Sequence, residues 1–165
     1  MGSIGKEAGK RDPKLLADPD PKSQDRSTSH MTIRTLLTAY RDAFNRRDSR
    51  AGLELFSEHA VFDMPLLGQR LVGKREIAVG LERIFEVTES AEIQFSSTKE
   101  IAKLSIAEGR LRAKLHRDAH AVEIPLAVVL EAQQNDIVRL STYLDARPYR
   151  LWADGPLFAS AQASD

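Results

Sequence analysis

Between residues 120 and 132 the chain reads HAVEIPLAVVLEA, and both of its alternating sets are apolar. In an extended strand Val122, Ile124, Leu126 and Val128 point one way, and Pro125, Ala127 and Val129 point the other. A strand of that kind has to be covered on both faces. It lies among three more strand-like stretches, AEIQFSST, GRLRAKLHR and DIVRLSTYLDA, separated by polar or glycine-containing breaks. In GRLRAKLHR, Leu111, Ala113 and Leu115 alternate with Arg110, Arg112, Lys114 and His116, the period of two of a half-buried strand. QQND at 133–136 supplies the turn of the last hairpin.

The half of the chain before these strands has a different period. Ile33, Leu36, Leu37, Tyr40, Ala43 and Phe44 recur at helical spacing, with Thr32 placed to cap them. Residues 45–49 interrupt the pattern, and Leu53 and Phe56 mark a second, shorter helix capped by Asp48 or Ser49. His59 then falls at that helix's end, where a cation meets the negative end of the dipole. AVFDM at 60–64 reads as a short strand stopped by Pro65. Gly68 and Gly73 turn the chain into a third helix that begins near Lys74 and carries Ile77, Leu81, Ile84 and Phe85. The expected class is α+β, with about three helices packed on one face of a curved, mostly antiparallel sheet.

Residues 1–30 hold three of the seven prolines and few large apolar side chains, so they are expected to be a disordered arm or leader. The expected domain runs from 31 to 150, and residues 151–165 form a C-terminal tail. Twenty-four basic residues balance twenty-four acidic ones, which leaves no charge excess to draw nucleic acid or an anionic membrane. The absence of cysteine removes a disulfide framework, a thiolate zinc site and a cysteine nucleophile, and points to the cytoplasm. No apolar run approaches the roughly 20 residues of a membrane helix. The glycines lack the lysine and serine/threonine spacing of a phosphate loop, and no Gly-X-Ser-X-Gly elbow occurs. His116 and His120 flank a turn at Asp118 and are expected to be solvent-exposed, so no metal is expected there.

HAVFDMP followed by LVGKREI, the first helix ending in AFNRRD, and the closing NDIVRLSTYLDARPY together carry a family resemblance. The chain resembles the nuclear transport factor 2-like superfamily, and within it the SnoaL-like proteins, relatives of ketosteroid isomerase, over residues 32 to about 150. The resemblance implies a cone-shaped fold whose sheet and helices enclose a pocket for a small, usually apolar molecule. It also implies cofactor-free acid–base chemistry of the isomerase, cyclase or hydrolase type, or plain binding.

Under that resemblance Tyr40 occupies the slot of a tyrosine hydrogen-bond donor. Met64 stands where the aspartate base precedes the proline, and Asp63 is one position early. Ala127 matches the second acid. Among epoxide-hydrolase relatives the water-activating aspartate corresponds to Thr142, and their second acid to a residue near Leu111. The candidate catalytic residues are therefore Tyr40, Asp145 and Asp63. The expected ligand pocket comprises Phe44, Met64, Leu66, Ala127, Val129, Leu140, Thr142 and Leu144. With Pro125, Ala127 and Val129 facing that pocket, Ile124, Leu126, Val128 and Tyr143 face out as an apolar stripe suited to a homodimer through the sheet face. A non-catalytic ligand carrier and a dimeric interaction module with a vestigial cavity stand beside the enzyme reading.

Overall fold

The computed structural model describes residues 32–145. The arm expected over 1–30 and the tail over 151–165 lie outside the described residues. Helix α1, Ile33–Asn45, starts where Thr32 accepts from the Thr35 amide at 3.2 Å, and it buries Leu36, Leu37, Tyr40, Ala43 and Phe44. Helix α2 is short, Ser49–Glu54, and the Asp48 carboxylate accepts from the Ala51 amide at 2.9 Å. Helix α3, Gly73–Val87, buries Ile77, Gly80 and Leu81. Glu76 in its first turn accepts from the Val72 amide at 2.7 Å.

Among the described residues six strands form one sheet in the order β2-β1-β6-β5-β4-β3. They are β1 (Phe56–Met64), β2 (Gln69–Val72), β3 (Thr88–Ile101), β4 (Leu104–Leu115), β5 (Val122–Gln133) and β6 (Asp136–Leu144). All neighbours run antiparallel except β1 and β6, which pair parallel. The last hairpin closes at Gln134 and Asn135, both at positive φ, the geometry whose twist suits a two-residue turn.

Three expectations are corrected here. Phe56 does not end the second helix. It opens β1 instead, because its ring is buried edge-on against Tyr40 at 6.0 Å and its backbone pairs with Ile137. His59 therefore sits exposed on a strand, away from any helix end. The third correction concerns the strand expected to begin at Gly109, which instead begins at Leu104, so that β4 carries Gly109 inside it. A β-carbon there would stand 2.0 Å from the Gln94 carbonyl oxygen, opposite a bulge between Phe95 and Ser97, so glycine permits a close strand approach where the sheet bends.

The facing of β5 is also opposite to expectation. Ile124, Leu126, Val128 and Leu130 are buried toward the helices, while Pro125, Ala127 and Val129 face outward. The pairing enforces this, since Leu126 lies opposite Leu144 and Val128 opposite Thr142, and antiparallel partners share a face. The core is thus one cluster between the helices and the inner sheet face, running from Leu36 and Leu37 on α1 to Ile124, Leu130 and Ile137 on the sheet.

Candidate functional site

Between the helices and the inner sheet face lies a cavity of about 60 Å³. Helix α1 contributes Tyr40 and Phe44, and β1 contributes Phe62 and Met64, followed by Leu67 from the 3-10 turn Pro65–Leu67. The opposite wall comprises Ile84 and Val87 of α3 with Thr88, Ala91 and Ile93 of β3. The sheet floor is Leu111 and Ala113 of β4, Leu126 of β5, and Thr142 and Leu144 of β6. Strands β1, β4 and β6 each supply alternate residues, as a one-sided strand requires, and the helices supply pairs three or four apart.

Three hydroxyls interrupt this hydrocarbon lining. Thr88 is committed, donating to the Ile84 carbonyl at 2.7 Å and accepting from Arg47 at 3.1 Å. Tyr40 and Thr142 have no hydrogen-bond partner among the described residues. Tyr40 is 3% exposed, and burial pushes its phenol far above the ordinary value of 10.0, so it remains a protonated donor at physiological pH. Its ring is held by Phe56 and, at 6.4 Å, by Phe44.

Of the expected pocket residues, Phe44, Met64, Thr142 and Leu144 line the cavity, as does Tyr40. Leu66 is 58% exposed, and its neighbour Leu67 takes the inward place because the chain leaves the strand as a 3-10 turn at Pro65. Ala127 and Val129 are on the outer sheet face, and Leu126 is the β5 residue at the cavity. Leu140 shares the inner face with Thr142 and Leu144 but is packed wholly within the core.

The carboxylates are placed differently from the tyrosine. Asp63 is buried on the outer face, with Oδ1 3.6 Å from Arg70 and Oδ2 3.3 Å from Arg139. Arg139 continues to Glu131 at 3.6 Å, so a ladder of alternating charge crosses four strands. Asp63 therefore cannot reach a molecule in the cavity, which its neighbours Phe62 and Met64 line. Asp145 follows the end of β6, half-buried, and is not among the lining residues. His116 and His120 are exposed beyond β4, and among the described residues no group of three or more metal-binding side chains converges. No helix among them is long and apolar enough to cross a membrane.

Sequence reasoning missed Phe62, Leu67, Ile84, Val87, Thr88, Ala91, Ile93, Ala113 and Leu126. The helical spacing of Ile84 and the alternation of Leu111 with Ala113 held the signal for two walls.

Three helices over a curved six-stranded sheet, with a cavity between them, define the ketosteroid isomerase-like or nuclear transport factor 2-like fold. The chain belongs to the SnoaL-like domain family, whose model matches residues 37–140. It is similar to a Xanthomonas campestris structure provisionally assigned as a polyketide cyclase, with TM-score 0.65 and 21% identity over 73% of this chain and 95% of that one. A Catenulispora acidiphila protein with the ketosteroid isomerase-like fold, solved with trimethylamine, aligns with TM-score 0.64 and 16% identity over 68% and 86%. A Mycobacterium tuberculosis LEH-like epoxide hydrolase aligns with TM-score 0.59 and 17% identity over 67% and 80%. A search of curated proteins finds no match to this chain. Identities this low establish a common fold and leave activity to the site itself.

Proposed function

We propose that this SnoaL-like domain binds a compact, uncharged, largely apolar molecule bearing one hydrogen-bond acceptor, such as a small ketone, ester or ether. The observation that carries the reading is the pair of unengaged hydroxyls, Tyr40 and Thr142, in an otherwise hydrocarbon wall. At roughly 10–15 Å³ per water, 60 Å³ accommodates a few waters or one compact ring. No cation among the described residues lines the cavity, so a carboxylate ligand would be desolvated without compensation. Proton transfer requires a base within about 3 Å of the substrate, and no carboxylate or imidazole is among the described lining residues, which favours binding over isomerase, cyclase or hydrolase chemistry. Calorimetric titration with cyclohexanone tests this. Saturable binding that weakens about three- to tenfold in Tyr40→Phe is expected, the worth of one hydrogen bond. Absence of binding at millimolar concentration across small ketones, esters and ethers would overturn it.

Self-association through the outer sheet face is supported by a different set of residues from that expected. Ile124, Leu126 and Val128 are core residues, so the surface consists of Ile106, Pro125, Ala127 and Val129 around Tyr143, which is 38% exposed. The adjoining ladder of Arg139 and Glu131 is self-complementary in charge, which suits a second copy of the chain. Light scattering should give the mass of a dimer at micromolar concentration and of a monomer for Tyr143→Glu. A monomeric wild type would refute the association.

A further inference from the structure

In the phrase AFNRRD, at the end of α1, Phe44 lines the cavity, while Asn45 and Arg47 stand outside it and hold its wall. Asn45 reaches the edge strand β3, where its amide donates to the Ile93 carbonyl at 3.0 Å and accepts from the Ile93 amide at 2.7 Å. It thereby acts as the missing neighbour of an edge strand at the residue whose side chain lines the cavity. Two residues on, Arg47 sits half-buried at φ 57°, a conformation uncommon outside glycine. Its guanidinium donates to the Phe85 carbonyl, to the Thr88 carbonyl at 2.9 Å and to the Thr88 hydroxyl at 3.1 Å. It also stacks 5.2 Å from the centre of the Phe85 ring.

The walls of the cavity are not equally secured. Phe62, Met64, Thr142 and Leu144 belong to strands paired on both sides, so their backbones are fixed by ladders. Ile84, Val87 and Thr88 lie at the α3–β3 junction, where the helix ends and β3 has no strand beyond it among the described residues. Of the carbonyls freed at the end of α3, Arg47 satisfies that of Phe85, and beyond the helix that of the cap residue Thr88, while Val87's accepts from the His116 amide at 3.3 Å. A planar fork that serves three acceptors at once fixes position as well as supplying binding energy.

We propose that Arg47, assisted by Asn45, is a positioning residue that holds the Ile84–Thr88 wall inward and so limits the cavity to compact ligands. The proposal rests on the binding reading above and adds a determinant of ligand size to it. Releasing the fork lets the junction relax outward, toward the side that no strand among the described residues supports, and the cavity then admits a bulkier molecule.

The test compares cyclohexanone with 2-acetylnaphthalene on the full chain, in wild type, Arg47→Ala, Arg47→Lys and Ile137→Val. The wild type should favour cyclohexanone. In Arg47→Ala the ratio of the two dissociation constants should move about tenfold toward the naphthyl ketone, and in Arg47→Lys by a smaller factor in the same direction. Ile137→Val, a core change away from the wall, should leave the ratio in place while lowering stability, which separates positioning from general weakening. Methyl spectra should show Ile84 and Ile93 displaced in the Arg47 variants. If Arg47→Ala does not fold, Arg47→Lys carries the test, and an unchanged ratio with unmoved methyls overturns the proposal. If the wild type binds neither ketone, the binding reading falls while the Ile84 and Ile93 methyls still decide the brace: displaced, they uphold it, and unmoved, they overturn it.

Discussion

Replacing Tyr40 by phenylalanine should change how the stability of this domain depends on alkaline pH. Tyr40 is buried in an apolar surround, and burial raises its pKa far above the ordinary 10.0. The unfolded chain keeps the ordinary value. Below pH 10 both states hold the proton and the difference is silent. Above it the unfolded state releases the proton and the folded state retains it, so stability falls as pH rises. The loss is about 0.4 kcal/mol at pH 10 and about 1.4 kcal/mol at pH 11, growing by about 1.4 kcal/mol per pH unit until the folded phenol itself ionises. The two proteins differ by one hydroxyl, so the difference between wild type and Tyr40→Phe isolates it. Urea denaturation at pH 8, 9, 10 and 11 measures it. Parallel curves for the two proteins across that range would show that Tyr40 ionises as freely folded as unfolded, and the cavity described here would be wrong.

Three further outcomes follow from single contacts. Gly109→Ala places a methyl 2.0 Å from the Gln94 carbonyl oxygen, so thermal unfolding should show a loss of about 2 kcal/mol or more, whereas Gly68→Ala has open space and costs only backbone strain. Ser105 is fully buried, and its hydroxyl has no hydrogen-bond partner among the described residues, so Ser105→Ala should leave stability unchanged or raise it by about 1 kcal/mol; a loss above that would reveal an unrecognised partner. Asp63→Asn breaks the charge ladder with Arg70 and Arg139, which lie on the outer face, so it should lower the denaturation midpoint while leaving affinity for cyclohexanone within twofold.

The helices were legible because periodicity and capping residues are local. Thr32 and Asp48 cap as their chemistry requires, and α3 begins within one residue of Lys74. β5 was harder because alternation identifies two faces without naming the inner one. The deciding signal was present in the polar residues of the odd set, Glu123, Glu131 and Gln133, which place Ala127 and Val129 outside. Phe56 entered β1 through pairing with Ile137, some eighty residues distant, which no local pattern contains. At the site, Tyr40, Met64 and Thr142 followed from correct phases on α1, β1 and β6. The unsuitability of Asp63 as a base follows from the same alternation, since its neighbours Phe62 and Met64 both face inward.

The central claim is that a small uncharged ligand occupies the cavity beside Tyr40 and Met64. Of the three methionines in the chain, Met64 is the one among the described residues. With methyl-labelled methionine, cyclohexanone should shift the Met64 resonance in a saturable manner and give through-space contacts to it, weakened in Tyr40→Phe. Saturable binding of cyclohexanone that leaves the Met64 methyl unmoved would contradict the account.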